Sequence, residues 1–404
     1  MSGSTTITGL PPSGSLHDER EIDAVVELMR TSNLTIGAKV AEFEERIAVL
    51  LAKQRGVMVN SGSSALRLAI DLVGCEPGDE IITPPVTFAT DIAPMVQSGI
   101  VPAFVDVDPE TLQIDPAGIE EMVGPRTRAI LAPNLVGNCP DWDAIRSIAD
   151  AHGLLVIEDS CDVLDSWLRG DRTGTRSDIS VTSFALTHAL TAGGNGGMVG
   201  LDDPDLHDRC LSLRRWGRVS EHHLFGSKRG RQDRFGTLPD GTPYDLVFTF
   251  DEIGYNFEPT ELSAAFGLVQ LEKLSDFNAR RQHNWTMLDE FFTAHEDRVV
   301  RPRTTEGCET TWMRYCFRLA EDGGLERTQV QEFLEGRNVA TRMVWTGNVL
   351  RQPGFHGIVH RAPAAGLPNA DLVMDRGLSL PIHHGLTSDH VGYMIEQLGQ
   401  LLAD

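Results

Sequence analysis

Apolar residues recur along the chain in two periods, and the two alternate. Ala41 to Ala52 carries them at helical spacing, as does Ser63 to Val73 after a Ser/Gly turn. Between and beyond lie short β-branched runs: Val57 to Asn60, Glu80 to Thr83, Ala103 to Val107, Ala129 to Ala132 and Leu154 to Ile157. Each run ends in polar or Gly/Pro punctuation and leads into another helical pattern. That alternation predicts an α/β fold: a mostly parallel central sheet with helices on both faces. Ligands in such sheets sit beyond the carboxyl ends of the strands. The residues to inspect are therefore Ser61 to Ser64, Thr87-Phe88, Asn134 to Asn138 and Asp159 to Asp162. A helix Glu261 to Leu274 closes this region, and a smaller C-terminal α+β part ends in an amphipathic helix, His390 to Leu402. The expected divisions are an arm over 1–35, a large domain over 36–274 and a small domain over 275–404. Residues 219 to 247 form a long polar Gly/Arg-rich insertion, of the kind that carries function or moves.

Composition narrows the partners. The 404 residues hold 35 basic and 58 acidic side chains, a net charge of −23. That balance disfavours nucleic acid and anionic membrane surfaces, though a local arginine cluster can still hold an anionic substrate. There are four lysines, Lys39, Lys53, Lys228 and Lys273, so lysine chemistry has few candidates. No apolar run is long enough to cross a bilayer. Met1 to Ser15 lacks a basic segment followed by an apolar core; it reads as a mobile arm rather than a signal peptide. Six scattered cysteines without a CxxC suggest reduced thiols in a cytoplasmic protein.

Three segments carry candidate chemistry. Asn60 to Leu66 joins a strand to a helix, and free N–H groups beside Gly62, Ser63 and Ser64 suit an anion; on this motif alone an ordinary helix cap is the preferred reading. Asp159, at the end of an apolar strand, is costly to bury unpaired, yet Glu158, Asp159 and Ser160 are also good capping types. Phe88 suits either an aromatic stack or the core.

Taken together, these segments resemble the DegT/DnrJ/EryC1/StrS sugar aminotransferases, a fold-type I branch of the pyridoxal-phosphate (PLP) enzymes. The motifs run from about residue 35 to 390 and include Thr35-Ile36-Gly37, Val156 to Asp162, Ser183 to Thr191, Thr341-Arg342 and Ser379 to His383. The resemblance implies that Gly62, Ser63, Ser64 and Ser183 grip the cofactor phosphate and that Phe88 stacks on its ring. Asp159 would keep the pyridine nitrogen protonated, with Asp162 beside it. Asn256 would reach the phosphate across a dimer interface, implying a homodimer with composite active sites.

His188 stands where most of that family has the lysine that binds PLP covalently. Glu158 to Asp162, Arg215 to Arg218, Phe248 to Leu274 and Gly347 to Pro353 resemble the sugar 3-dehydratases, the subgroup in which histidine replaces that lysine. The implied function is removal of the C3 hydroxyl from a nucleotide-linked 4-keto-6-deoxyhexose by pyridoxamine phosphate (PMP). His188 would act as acid and base, since imidazole titrates near working pH. Arg218 and Arg342 are the implied substrate contacts, and His222, His223, Lys228, Arg229 and Arg231 of the insertion could also meet phosphates. Val219 to Phe250 contains no cysteine, so no iron–sulfur cluster is expected, and L-glutamate is the expected amino donor. Two other readings stand: a catalytically silent partner subunit or binding protein, and a different PMP-dependent deoxygenation of a sugar or nucleoside. The chain departs from the subgroup at Ala185-Leu186, at Ala189 and at Gly193 to Gly197, all within a few residues of His188.

Overall fold

The computed structural model describes residues 9–10, 14–31, 34, 36–230 and 235–403. Thr35 and Arg231, named above, lie outside the described residues. The large sheet has seven strands: β1 (Arg55–Val59), β2 (Glu80–Thr83), β3 (Val101–Phe104), β4 (Thr127–Pro133), β5 (Leu155–Asp159), β6 (Ile179–Ser183) and β7 (Gly197–Leu201). Their order is β1-β7-β6-β5-β4-β2-β3. Five of the strands pair in parallel, from β6 through β5, β4 and β2 to β3. β7 runs antiparallel to both neighbours, β1 and β6.

Period-two alternation within nearly all-apolar strands explains why both faces are covered. Val57, Val59, Ile81, Leu131 and Ile157 join the core built on α1 (Gly62–Leu72). The intervening Ile82, Ile130, Ala132 and Val156 meet Trp142 and Ile145 on the opposite face. At the β1 edge, Met58 and Met198 pack with Val40, Phe43 and Ile47 of the helix Ala38–Leu50.

The C-terminal part carries a three-stranded antiparallel sheet, β8 (Val299–Val300), β9 (Arg314–Leu319) and β10 (Gly377–Pro381). Its core reaches Val86, Ile92 and Phe104 of the large sheet's segments, so apolar packing is continuous across the site. The helix expected over Glu261 to Leu274 forms as Glu261–Glu272, and a second helix, Leu274–Thr293, follows at once. The C-terminal helix spans Ser388–Ala403.

Two segments differ from expectation. Leu10, within the stretch read as a mobile arm, is 2% exposed; its N–H donates to Asn338 and its carbonyl accepts from Ala340. An apolar side chain with a ready pocket outweighs a Ser/Gly/Pro setting. The described residues of the insertion include a short helix Glu221–Leu224 and a hairpin of Phe235–Thr237 with Pro243–Asp245. Among the described residues, no helix is long and apolar enough to cross a membrane.

Candidate active site

The carboxyl ends of β1, β2, β4, β5 and β6 open onto a cavity of about 800 Å³, within the usual range for a ligand site. The turn after β1 supplies Ser61, Gly62 and Ser63 to its wall, β5 supplies Asp159, and β6 supplies Ser183. Gly62 is required by close approach: a Cβ there would lie 2.6 Å from the Ser183 Cβ and 2.8 Å from its Oγ. Ser61 caps α1, accepting from the Ser64 N–H at 3.1 Å. Ser64, expected to face a phosphate, is absent from the lining, because its hydroxyl donates to Asn60 at 2.7 Å. Helical rotation turns it inward, and Ser61 takes its place at the wall.

His188 lies on the connection from β6 to β7. Phe184, Ala189, Leu190 and Ala192 are buried and anchor that loop against Phe43. Gly193, Gly194 and Gly196 adopt φ of +76°, +111° and +140°, so the unusual Gly-rich run reverses the chain into β7. The His188 carbonyl accepts from Arg281 Nη2 at 2.7 Å, and Arg281 also meets His384 Nδ1 at 3.3 Å through Nε. Both partners are buried, and His384 stacks on Phe277.

The His188 Nδ1 atom is 3.8 Å from Asp162 Oδ1, beyond hydrogen-bond range, and has no hydrogen-bond partner. An ion pair would raise the imidazole and lower the carboxyl, and here both move the other way. Burial, then the Arg281 charge, pushes His188 down to about 4. Burial, then the Asp159 charge, pushes Asp162 up to about 7, against N–H donation from Val136 and Trp345. Desolvation dominates this pair. At neutral pH the imidazole is uncharged and able to take a proton.

Asp159 is buried and accepts the Cys161 N–H at 2.9 Å; burial raises its carboxyl. Phe88 is more than half exposed and presents its ring to the cavity, edge-on to Trp345 at 6.4 Å. Arg342 also lines the cavity. Arg218 does not: its guanidinium lies over the Trp216 ring at 4.4 Å. Asn256 is exposed, forms a bridge with Arg215, and is likewise outside the lining of a single chain. His222, His223, Lys228 and Arg229 are also absent from it.

Sequence reasoning missed Trp345, Arg314 and Arg281. Trp345 donates its indole N–H to Asp162 Oδ2 at 3.0 Å and adopts φ 42°, a strained backbone for a bulky residue. Its only sequence signal is position, two residues before the quoted Gly347 to Pro353 segment. Arg314 lines the cavity from β9 and donates to Ser379 at 2.8 Å. None of the four lysines lines the cavity, which holds an imidazole where a covalent amine would otherwise be sought.

The dTDP-4-dehydro-2,6-dideoxy-D-glucose 3-dehydratase of Saccharopolyspora spinosa is 36% identical over 414 residues, covering 100% of this chain and 88% of the relative. Two solved structures of GDP-4-keto-6-deoxymannose-3-dehydratase superpose with TM-score 0.86 at 28% identity, covering 96% of this chain and 99% of theirs. One contains a trapped PLP-glutamate geminal diamine; the other is a histidine-to-asparagine variant with bound GDP-perosamine. The family model of the DegT/DnrJ/EryC1/StrS aminotransferases matches residues 15–399. Motifs, fold and matches agree, and the chain belongs to the DegT/DnrJ/EryC1/StrS aminotransferase family.

Proposed function

We propose that this chain is a PLP/PMP-dependent dehydratase removing the C3 hydroxyl of a nucleotide-linked 4-keto-6-deoxyhexose. The observation that carries the reading is a cofactor-sized cavity with His188 and Asp159 on its wall and no lysine. The cavity fits the cofactor. The Gly62 turn admits no Cβ, so an anion can approach the amides at the start of α1. Gly62, Ser63 and Ser183 would hold the phosphate, Asp159 the pyridine nitrogen, Phe88 the ring face, and Asp162 the polar edge near His188. When bound, PMP supplies an amine for the sugar ketone and an aromatic ring that takes up an electron pair.

The protein's own part is proton handling and exclusion of water. His188, neutral at working pH, accepts a proton on its ring and returns one to the departing hydroxyl, which leaves as water. The imidazolium formed in between faces Asp162 at 3.8 Å, whose ionised form stabilises it. Arg281 holds the His188 backbone so that the ring keeps its aim. Arg342, on the cavity wall, would take a substrate phosphate. Asn256 and Arg218 act in the partner's cavity of a homodimer; both lie outside the single-chain site, Asn256 exposed and Arg218 half-buried against Trp216.

L-Glutamate would restore PMP, as the geminal diamine trapped in the related structure suggests. The net balance is one oxygen lost from the sugar, with glutamate leaving as 2-oxoglutarate and ammonia. The test is incubation with PLP, glutamate and a panel of 4-keto-6-deoxyhexose nucleotides. A product lighter by one oxygen, with equimolar 2-oxoglutarate and ammonia, is expected. Amino-sugar formation, or no reaction across the panel, would overturn the reading.

A further inference from the structure

A second carboxyl group stands behind Asp159. Asp91 lies in the first turn of the helix Ala89–Gln97 and is fully buried. Its Oδ2 takes the hydroxyl hydrogen of Thr87, which leaves Thr87 no further hydrogen to give. Its Oδ1 is buried without a donor. Besides Thr87, the hydrogen-bonding side chain beside Asp91 is the Asp159 carboxyl, with Asp162 adding a nearby like charge. Asp159 itself receives the Cys161 backbone N–H, and the Cys161 thiol is its other local donor.

Two ionised carboxylates cannot face each other in a dry site, so a proton must sit between them. Asp159 is the better anion of the two. It has a backbone N–H and borders the cavity, whereas Asp91 is sealed and has one hydroxyl partner. Burial and the Asp159 charge both raise Asp91, in the same sense.

Building on the cavity's reading as a PLP site, we propose that Asp91 is a positioning residue, a neutral acid whose O–H donates to the Asp159 carboxylate and fixes its orientation toward the pyridine nitrogen. No charge is added, and Asp159 stays ionised.

The test uses Asp91→Asn and Asp91→Leu in the full chain. Asn supplies an N–H to Asp159 and an oxygen to Thr87, so PLP affinity should stay within about twofold of the parent. Leu removes the donor, and PLP affinity by fluorescence titration should fall about tenfold or more, as expected for losing a hydrogen bond to a charge. Infrared difference spectra of the cofactor-free chain at pH 7, taken as parent minus Asp91→Asn so that the protonated fraction of Asp162 common to both cancels, provide a second readout. The parent should show a protonated-carboxyl C=O stretch that Asp91→Asn lacks. Absence of that band in the parent, or parent-like PLP affinity in a folded Asp91→Leu, overturns the proposal. If Asp91→Leu fails to fold, the infrared comparison of parent and Asn variant decides. Neither readout involves sugar chemistry, so a failed dehydratase assay leaves this test intact.

Discussion

Asp162→Asn should stabilise the cofactor-free chain at alkaline pH and do so less at acidic pH. The Asp162 carboxyl rises from an ordinary value of 3.8 to about 7 in the fold. The folded state therefore holds a proton that the unfolded chain has released. Asp162's contribution is fully present below pH 3.8 and is lost as pH rises through about 7. One pK unit is about 1.4 kcal/mol, so the full penalty is about 4 kcal/mol, an upper bound because the site can relax. Asparagine keeps the acceptor for Val136 N–H (2.8 Å) and Trp345 Nε1 (3.0 Å), since both bond the same oxygen. Its amide can face the His188 ring without a charge. Denaturant unfolding is best followed at pH 5.5, above the isoelectric point near 4.9, and at pH 8. Between these values the stability excess of the variant over the parent should grow by about 2 kcal/mol. An excess that is equal at both pH values, or that shrinks toward pH 8, refutes the desolvation account of the His188–Asp162 pair.

Three further outcomes follow from the same geometry. Gly62→Ala forces a Cβ onto Ser183 and should weaken PLP binding by about tenfold or more, read by equilibrium dialysis, with little change in far-UV circular dichroism. Arg281→Met removes the nearest cation from His188, so the histidine pKa should rise from about 4 by about one unit, while Arg281→Lys holds it low; NMR titration against a His188→Asn control reads the shift. Glu261 is buried and accepts N–H groups of Gly37, Lys39 and Val40 at 2.9, 3.0 and 2.8 Å. Glu261→Ala should cost about 2–4 kcal/mol in denaturant unfolding, and Glu261→Gln should recover part of it.

The alternation of strands and helices was legible because each strand is short, apolar and closed by turn residues. Glu80–Thr83 formed with the bounds read from its pattern. Residues on the strand ends were legible for the same reason: Gly62, Ser63, Phe88, Asp159 and Asp162 line one cavity, joined there by Ser183, His188 and Arg342, which the family resemblance supplied. What stayed hidden depends on directions that linear spacing does not encode. Ser61 and Ser64 are equivalent in a string of small residues, and only the helix rotation separates wall from interior. Asp91 reads as an acidic residue in a first helical turn, favourable for the dipole; its apposition to Asp159 arises only when β2 and β5 lie in one sheet. Arg281 is one of two consecutive arginines on a long helix, and its burial against the His188 loop has no signature of its own.

The antiparallel β7 has a consequence for how this scaffold changes chemistry. Because β6 and β7 run in opposite directions as neighbours, the segment between them leaves and re-enters the sheet at the same end. Residues Phe184 to Gly196 thus form a closed tongue, held at its base by Phe184 N–H to Gly196 and Ala192 N–H to Phe184. Length and composition can vary within the tongue without shifting the pairing of Ser183 with Gly197 or any strand beyond it. The residue at its tip is consequently an exchangeable cartridge. A side chain there can be exchanged while the Gly62 turn, the buried Asp159 and the strand pairing stay as they are.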